Sequence, residues 1–202
     1  MKERNLMPTR IRENGRKLLL PITKLLARSK ISPNFFTLIG FIITIVAGLL
    51  YGKGIFLLAG ITLIVAGLFD ILDGEIARIS EGETKFGAFL DSTLDRYSDF
   101  AILAGMFYYY YYYRNTLACS FVLLTILGSY LVSYTRARAE SIGEECKVGI
   151  GDRAIRVIII VIGSFFGPKI FVAFLGLLVV LTNLTAIYRI YYVWKQLKLR
   201  RE

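Results

Sequence analysis

Residues 33–77 read PNFFTLIGFIITIVAGLLYGKGIFLLAGITLIVAGLFDILDGEIA, which is two long apolar runs separated by Gly52-Lys53-Gly54. A helix needs about 20 residues to cross the hydrocarbon core of a bilayer, and each run is long enough to do so. Glycine on both sides of a lysine favours a tight turn between the two runs. The stretch therefore predicts a helical hairpin in a membrane, with acidic residues near the end of its second arm.

The rest of the chain continues this arrangement. Of its 202 residues, 55% are hydrophobic, and they fall into six blocks. The blocks are 33–52, 55–77, 86–112, 116–135, 154–167 and 169–194. We therefore expect an all-α integral membrane protein with six transmembrane helices. The predicted division is a cytoplasmic arm with an interfacial helix (1–32), a transmembrane catalytic domain (33–194) and a basic cytoplasmic tail (195–202).

The positive charges predict the orientation of these helices. Lys53, Arg114 and Lys169 occupy the connections on one side and are three of the 25 lysines and arginines in the chain. The others lie in or near the arm, the opposite connections and the tail. Because cytoplasmic loops are enriched in Lys and Arg, both termini are expected in the cytoplasm, with the protein in the cell membrane.

Two flanking features fit a membrane protein. Residues 11–30 mix leucines with arginines and lysines and are interrupted near Pro21, which favours an amphipathic helix at the cytoplasmic interface. A solvated basic arm is the alternative. The run Tyr108–Tyr113 lies at the outer end of the third block, where aromatic side chains anchor at the headgroups.

The chain has no histidine and two cysteines, Cys119 and Cys146, which lie in different segments. The missing histidine excludes Ser-His-Asp, Cys-His and phosphohistidine chemistry. The cysteine spacing disfavours a zinc site or a disulfide framework. Acid–base chemistry must therefore use Asp, Glu, Lys, Tyr or Cys.

Five aspartates lie in or beside the second and third blocks, where carboxylates are costly and usually functional. They are Asp70, Asp73, Asp91, Asp95 and Asp99. The first two are spaced i,i+3 and the next two i,i+4, so each pair projects from one helical face. We expect the two helices to be neighbours, and their four carboxylates to be neutralised by Mg²⁺ or Mn²⁺.

The alternative is a set of salt bridges or hydrogen bonds between helices, but the nearby sequence offers few cations for five acids. They are Arg78, Lys85 and Arg96. Small residues interleave with the acids and leave room for a ligand, although they also suit helix packing in membranes. They are Gly74, Ala77, Gly87 and Ala88.

The full spacing is Asp70-x₂-Asp73-Gly74-x₂-Ala77-Arg78-x₈-Gly87-x₃-Asp91-x₃-Asp95. At each defined position it resembles the signature of the CDP-alcohol phosphatidyltransferase family, and the order of helices fits that family over nearly the whole chain. The resemblance implies an enzyme that moves a phosphatidyl or archaetidyl group from a CDP-linked lipid to an alcohol and releases CMP. It also implies a homodimer, with membrane lipids as surroundings and no nucleic-acid partner.

The resemblance implies roles for individual positions. The metal ligands, for a pair of Mg²⁺ or Mn²⁺ ions, are Asp70, Asp73, Asp91 and Asp95. Asp95 is also the general base for the acceptor hydroxyl. The nucleotide-binding residues are Gly74, Ala77, Arg78, Gly87 and Asn34. Capping of the first helix is an alternative role for Asn34. Asp99 lies beyond the signature and is expected to be a structural partner, with Arg96 as its candidate cation.

Arginines after the fourth block bear on the acceptor, because guanidinium groups suit phosphate recognition. The pattern is similar to the prokaryotic branch of the family that uses inositol 1-phosphate. This implies that the acceptor phosphate is bound by Arg136, Arg153, Arg156 and, as a looser candidate, Arg189. That branch commonly has acidic residues beside both later arginines, whereas this chain has Asp152 and Ile155.

Three alternatives remain open. Glycerol 3-phosphate is the alternative acceptor within the same class. An ion-coupled transporter would be expected to carry its acids near the midplane and to show repeat symmetry, and neither is seen here. A structural partner protein would leave the eight-position signature unexplained. Ester and ether lipids are not distinguished by the sequence.

Overall fold

A computed structural model describes residues 32–79 and 84–199. Every element in those two ranges is an α-helix, as expected for an all-α protein. The helices are α1 (Pro33–Gly52), α2 (Phe56–Ile79), α3 (Lys85–Tyr112), α4 (Thr116–Ser141), α5 (Arg153–Ser164) and α6 (Gly167–Leu199). The predicted interfacial helix at 11–30 and the end of the basic tail lie outside the described residues.

The helix ends follow from local chemistry. Thr84 and Asn115 accept hydrogen bonds from the amides of Gly87 and Ala118, at 2.9 and 3.0 Å, and so cap α3 and α4. Gly54 and Gly167 adopt positive φ angles of 78° and 76° in the turns before α2 and at the start of α6. The predicted blocks match most helix bounds closely. Helix α4 continues six residues further, to Ser141, and α6 five residues further, to Leu199, whereas α5 ends three residues earlier, at Ser164.

The helices form a ring in which the main contacts run in the order α1, α2, α5, α6, α4, α3 and back to α1. Helices α2 and α3 follow one another in the chain. Within the described residues, however, their backbones come close to each other at no more than a few points. The expectation that these two helices are neighbours is therefore wrong for their backbones, whereas the expected meeting of their aspartate-bearing faces is confirmed. Helix α1 packs against both of them and holds them apart, which leaves a cleft between the aspartate-bearing faces.

Glycines allow α1 and α3 to pack at backbone distance. A Cβ atom on Gly105 of α3 would collide with the carbonyl oxygen of Gly48 on α1, and one on Gly48 would lie 2.5 Å from the carbonyl oxygen of Ala101. Small residues are the usual means of such close approach between helices in membranes. This contact fixes the position of α3 relative to α1.

Lys53, Arg114 and Lys169 lie in or directly after the turns at one end of the bundle. Tyr110 donates a hydrogen bond to the carbonyl of Pro168 at 2.7 Å, and the ring of Phe56 packs against those of Tyr109 and Phe171 at 5.2 Å. The poorly charged connections therefore share one end, as the charge pattern requires. Which side of a membrane that end faces stays a prediction.

Among the described residues, four helices are long and apolar enough to cross a membrane: α1, α2 over Phe56–Ile76, α4 and α6. Their outer faces expose large apolar side chains such as Leu49 and Ile190. These features identify a membrane protein. Helix α3 carries three of the five aspartates. Helix α5 has 12 residues, which is about 18 Å of helix, whereas the hydrocarbon core of a bilayer is about 30 Å thick. The count of six spans therefore stays a prediction.

Gly105→Ala is expected to destabilise the fold by about 1–3 kcal/mol, because the added methyl group must push α1 and α3 apart. The measurement is the melting temperature of the purified chain in detergent. Gly67→Ala is the matched control, since a Cβ there meets no heavy atom within 4 Å. Equal melting temperatures for the two variants would contradict the role given to this contact.

Candidate active site

Three carboxylates meet across the cleft between α2 and α3. Oxygen atoms of Asp70, Asp91 and Asp95 lie within 4.8 Å of one another. Asp91 and Asp95 are one helical turn apart on α3, so both reach towards the same point of α2. Such oxygen ligands suit hard divalent cations.

Asp73 is the signature aspartate outside this group of three. Its side chain is buried, and its Oδ2 atom has no hydrogen-bond partner among the described residues. A buried carboxylate oxygen without a partner is costly, and a cation nearby would stabilise it. Asp73 and Asp70 line the same cavity. The four aspartates therefore present a donor set that fits metal binding.

The cluster also contains a cation from a distant part of the chain. An Nη1 atom of Arg153, the first residue of α5, lies 3.1 Å from an oxygen of Asp70 and 2.5 Å from one of Asp95. Arg153 was predicted to bind the acceptor phosphate, and the structure places it among the carboxylates. Arg153 was not among the nearby cations that the sequence indicated, because it lies 83 residues beyond Asp70.

Asp99 pairs with arginines of α5. Arg156 donates hydrogen bonds to Asp99 and, at 2.7 Å, to the carbonyl of Gly151. The expected partner Arg96 instead lies 3.8 Å from Asp95 and donates to the carbonyl of Ser92. Helical side chains lean towards the N-terminus, so Arg96 reaches back one turn rather than forward to Asp99. The expected Asp99–Arg96 pair is therefore wrong.

The other two predicted acceptor arginines have separate partners. Arg189 is almost fully buried and donates to the carbonyls of Val148 and Val132 and to Asp152. These bonds hold the segment before α5 against α6. Arg136 is exposed and pairs with Glu140 at 2.9 Å. Arg153 and Arg156 thus share Asp99, whereas Arg189 and Arg136 have partners elsewhere.

The two signature glycines have different surroundings. A Cβ on Gly74 would meet no heavy atom within 4 Å, so the face of α2 beside Asp73 is open. A Cβ on Gly87 would lie 3.0 Å from the side-chain oxygens of Asn34 and Thr84. Two predicted nucleotide residues, Gly87 and Asn34, are therefore adjacent.

The remaining nucleotide residues are only partly described. Ser32 holds the N-cap position of α1, so Asn34 does not cap that helix as the alternative proposed. Arg78 pairs with Glu75 at 3.0 Å. The side chain of Ala77 lies outside the described part of the chain.

A cavity of about 610 Å³ connects the acidic cluster with apolar walls. Its polar end is lined by Asp70, Asp73, Asp95, Asp99 and Arg153. Its walls come from apolar residues of α1, α2, α3 and α5, including Leu63, Ile64, Val157, Ile158 and Val161. A charged end joined to an apolar interior matches an amphiphilic ligand with a polar head and hydrocarbon tails.

Comparison with known proteins agrees with this chemistry. The sequence profile of the CDP-alcohol phosphatidyltransferase family matches residues 30–192. The chain therefore belongs to the CDP-alcohol phosphatidyltransferase family, and it is a membrane transferase of phospholipid synthesis. Family membership excludes the transporter interpretation.

Individual relatives narrow the comparison. The archaetidylinositol phosphate synthase of Pyrococcus horikoshii is 40% identical over 195 residues, which cover 96% of this chain and 100% of that protein. A crystal structure of the phosphatidylinositol phosphate synthase of Mycobacterium tuberculosis with CDP-DAG bound matches with a TM-score of 0.82 and 31% identity, over 88% of this chain and 94% of that one. The structure of that enzyme in complex with manganese and citrate matches with a TM-score of 0.80 and 31% identity, over 86% and 88%.

Arg156→Met is expected to destabilise the fold by about 3–5 kcal/mol, because Asp99 would be left buried without its main cation. Thermal unfolding in detergent measures the effect. Arg136→Met is the control: its exposed pair should contribute less than about 1 kcal/mol. The double variant Asp99→Leu/Arg156→Met should recover part of the loss. A stable Arg156→Met protein would contradict the structural role of this pair.

Proposed function

We propose that this chain transfers a phosphatidyl or archaetidyl group from a CDP-linked lipid to inositol 1-phosphate and releases CMP. The observation that carries the proposal is the convergence of Asp70, Asp91 and Asp95 at the polar end of an apolar cavity. The relatives support the choice of substrates, since one is named for archaetidylinositol phosphate and another is solved with CDP-DAG. Glycerol 3-phosphate is the alternative acceptor.

The donor lipid would bind with its tails in the cavity and its pyrophosphate at the aspartates. Apolar side chains of α2 and α5 line the cavity away from the charged end, so hydrocarbon tails are accommodated there. The open face at Gly74 and the adjacent Gly87 and Asn34 supply space and an amide for the cytidine nucleotide. Arg78 and Ala77 complete the proposed nucleotide site.

The proposed metal ligands are Asp70, Asp73, Asp91 and Asp95, for two Mg²⁺ or Mn²⁺ ions. When bound, the cations would neutralise the pyrophosphate and stabilise the departing phosphate of CMP. The aspartates bind and orient these cations because they project from two separate helices towards one cleft. The unpartnered Oδ2 atom of Asp73 supports its inclusion.

Asp95 is the proposed general base. It would accept the proton of the acceptor hydroxyl while the hydroxyl oxygen forms a bond to the β-phosphorus of the donor. The bond from that phosphorus to the bridging oxygen then breaks, and CMP leaves with the electron pair. Without histidine in the chain, a positioned carboxylate is the appropriate group for this transfer.

The acceptor phosphate would be bound beside this site by arginines of α4, α5 and α6. The proposed residues are Arg136, Arg153, Arg156 and Arg189. Arg153 and Arg156 have the best-supported positions, because both contact Asp99 at the edge of the cavity. Arg189 supports the site through its bonds to Val148 and Asp152, which precede α5 directly.

The remaining proposals concern the setting of the site. We propose six transmembrane spans in the cell membrane, with both termini and the aspartates on the cytoplasmic side, and a homodimer. The proposed domains are the arm (1–32), the catalytic bundle (33–194) and the tail (195–202). The grouping of the poorly charged connections at the end opposite the aspartates supports this orientation.

An acceptor comparison with radiolabelled CDP-lipid and Mg²⁺ tests the reaction. Inositol 1-phosphate is expected to release CMP, whereas free inositol and serine should not, because they lack the phosphate. Asp95→Asn should lower kcat by about 10²–10⁴-fold, since the general base is lost. Glu145→Gln, an exposed acid outside the site, is the control for removal of one carboxylate. If CMP is released with glycerol 3-phosphate but not with inositol 1-phosphate, glycerol 3-phosphate is the acceptor instead.

A size series at Gly74 tests the proposed nucleotide site. Gly74→Leu is expected to raise the KM for CDP-lipid by about tenfold or more, because the side chain fills the space proposed for the ligand. Gly74→Ala should have a smaller effect. Both variants should keep the parent melting temperature, since nothing packs against this position and glycine is a poor helix former. An unchanged KM in Gly74→Leu would exclude the ligand from this face.

A further inference from the structure

The guanidinium of Arg153 lies where the proposed metal ligands converge. Its Nη1 atom contacts one oxygen of Asp70 at 3.1 Å and one of Asp95 at 2.5 Å. These two residues come from α2 and α3, so a single nitrogen bridges both sides of the cleft. Arg153 is therefore the counter-ion of the same oxygens that a divalent cation would need.

A divalent cation and this guanidinium compete for those oxygens. Both are positive, an arginine keeps its charge in proteins, and repulsion at such short distances is strong in a partly buried site. Metal binding at Asp70 and Asp95 therefore requires Arg153 to move its Nη1 atom away. The free energy of breaking these ion pairs reduces the apparent affinity for the metal.

The surroundings of Arg153 allow that movement. Its Nε atom is buried and, among the described residues, has no hydrogen-bond partner; an oxygen of Asp99 lies 3.9 Å away. Asp99 itself is fixed by Arg156. The side chain borders the cavity, so it can rotate without displacement of α5. An alternative partner, Asp99, is thus already within reach.

We propose that Arg153 is an exchangeable counter-ion that couples metal binding to acceptor binding. It pairs with Asp70 and Asp95 until a divalent cation takes their oxygens, and it then turns to the phosphate of the acceptor. Each ligand favours the conformation that the other requires, so each raises the affinity for the other. This inference rests on the proposed metal and acceptor sites, and it adds a direct competition between Arg153 and the metal.

Mn²⁺ binding to the purified full-length chain in detergent tests the proposal without reference to activity. Electron paramagnetic resonance measures free Mn²⁺ during a titration, with and without inositol 1-phosphate. Arg153→Gln is expected to bind Mn²⁺ about tenfold more tightly than the parent, because the competing cation is removed. Inositol 1-phosphate should tighten Mn²⁺ binding in the parent and leave the affinity of Arg153→Gln unchanged.

Two further variants make the comparison specific. Arg138→Gln removes the same charge from an exposed residue that contacts Ser141, and it should keep the parent affinity. Arg153→Lys keeps a competing charge and should bind Mn²⁺ less tightly than Arg153→Gln; it also replaces that variant if the glutamine protein does not fold. Free inositol replaces inositol 1-phosphate as the uncharged control.

The outcomes separate this inference from the proposed function. If the parent binds Mn²⁺ and Arg153→Gln binds it equally or more weakly, the exchange is overturned while the metal site stands. An equal gain of Mn²⁺ affinity in Arg138→Gln also overturns the exchange, because the change in affinity would then come from the net charge of the protein. If the parent binds no Mn²⁺, the proposed metal site and the exchange both fail.

Discussion

Carboxylates that converge from two helices repel one another, and the rest of this structure depends on how that repulsion is balanced. Asp70 on α2 faces Asp91 and Asp95 on α3, and α3 itself contributes Arg96, 3.8 Å from Asp95. The balance comes from α5, whose first residue, Arg153, enters the cluster. Helix α1 packs against both aspartate helices, and a cavity of about 610 Å³ lies beside the acidic cluster.

The close contact of α1 with α3 and the open cleft are two parts of one arrangement. Gly48 and Gly105 let the backbones of α1 and α3 touch, which gives α3 a fixed position. Gly74, by contrast, faces open space on α2. Glycine therefore allows close helix packing at Gly48 and Gly105, whereas at Gly74 it leaves the surface of α2 open. A lipid-modifying enzyme needs both, since its rigid bundle must still admit a large amphiphile from the membrane.

Local features of the sequence were predictable, whereas contacts between distant segments were not. The apolar blocks, the glycine turns and the i,i+4 spacing of Asp91 and Asp95 depend on neighbouring residues, so they could be identified directly. The contact of Arg153 with Asp70 spans 83 residues and has no local signal. The separation of α2 from α3 was missed for the same reason, because it depends on the packing of α1 against both.

The arginines near the site differ in what holds them, and this difference decides which of them can respond to a ligand. Arg156 and Arg189 donate to backbone carbonyls as well as to carboxylates, and both are buried. The acceptor strength of a backbone carbonyl does not depend on the charge of the acidic cluster, so these bonds keep the two side chains in place beside α5. The partners of Arg153 are carboxylates. A change in the charge of the acidic cluster therefore acts first on Arg153, while the structure around it is maintained by the other two.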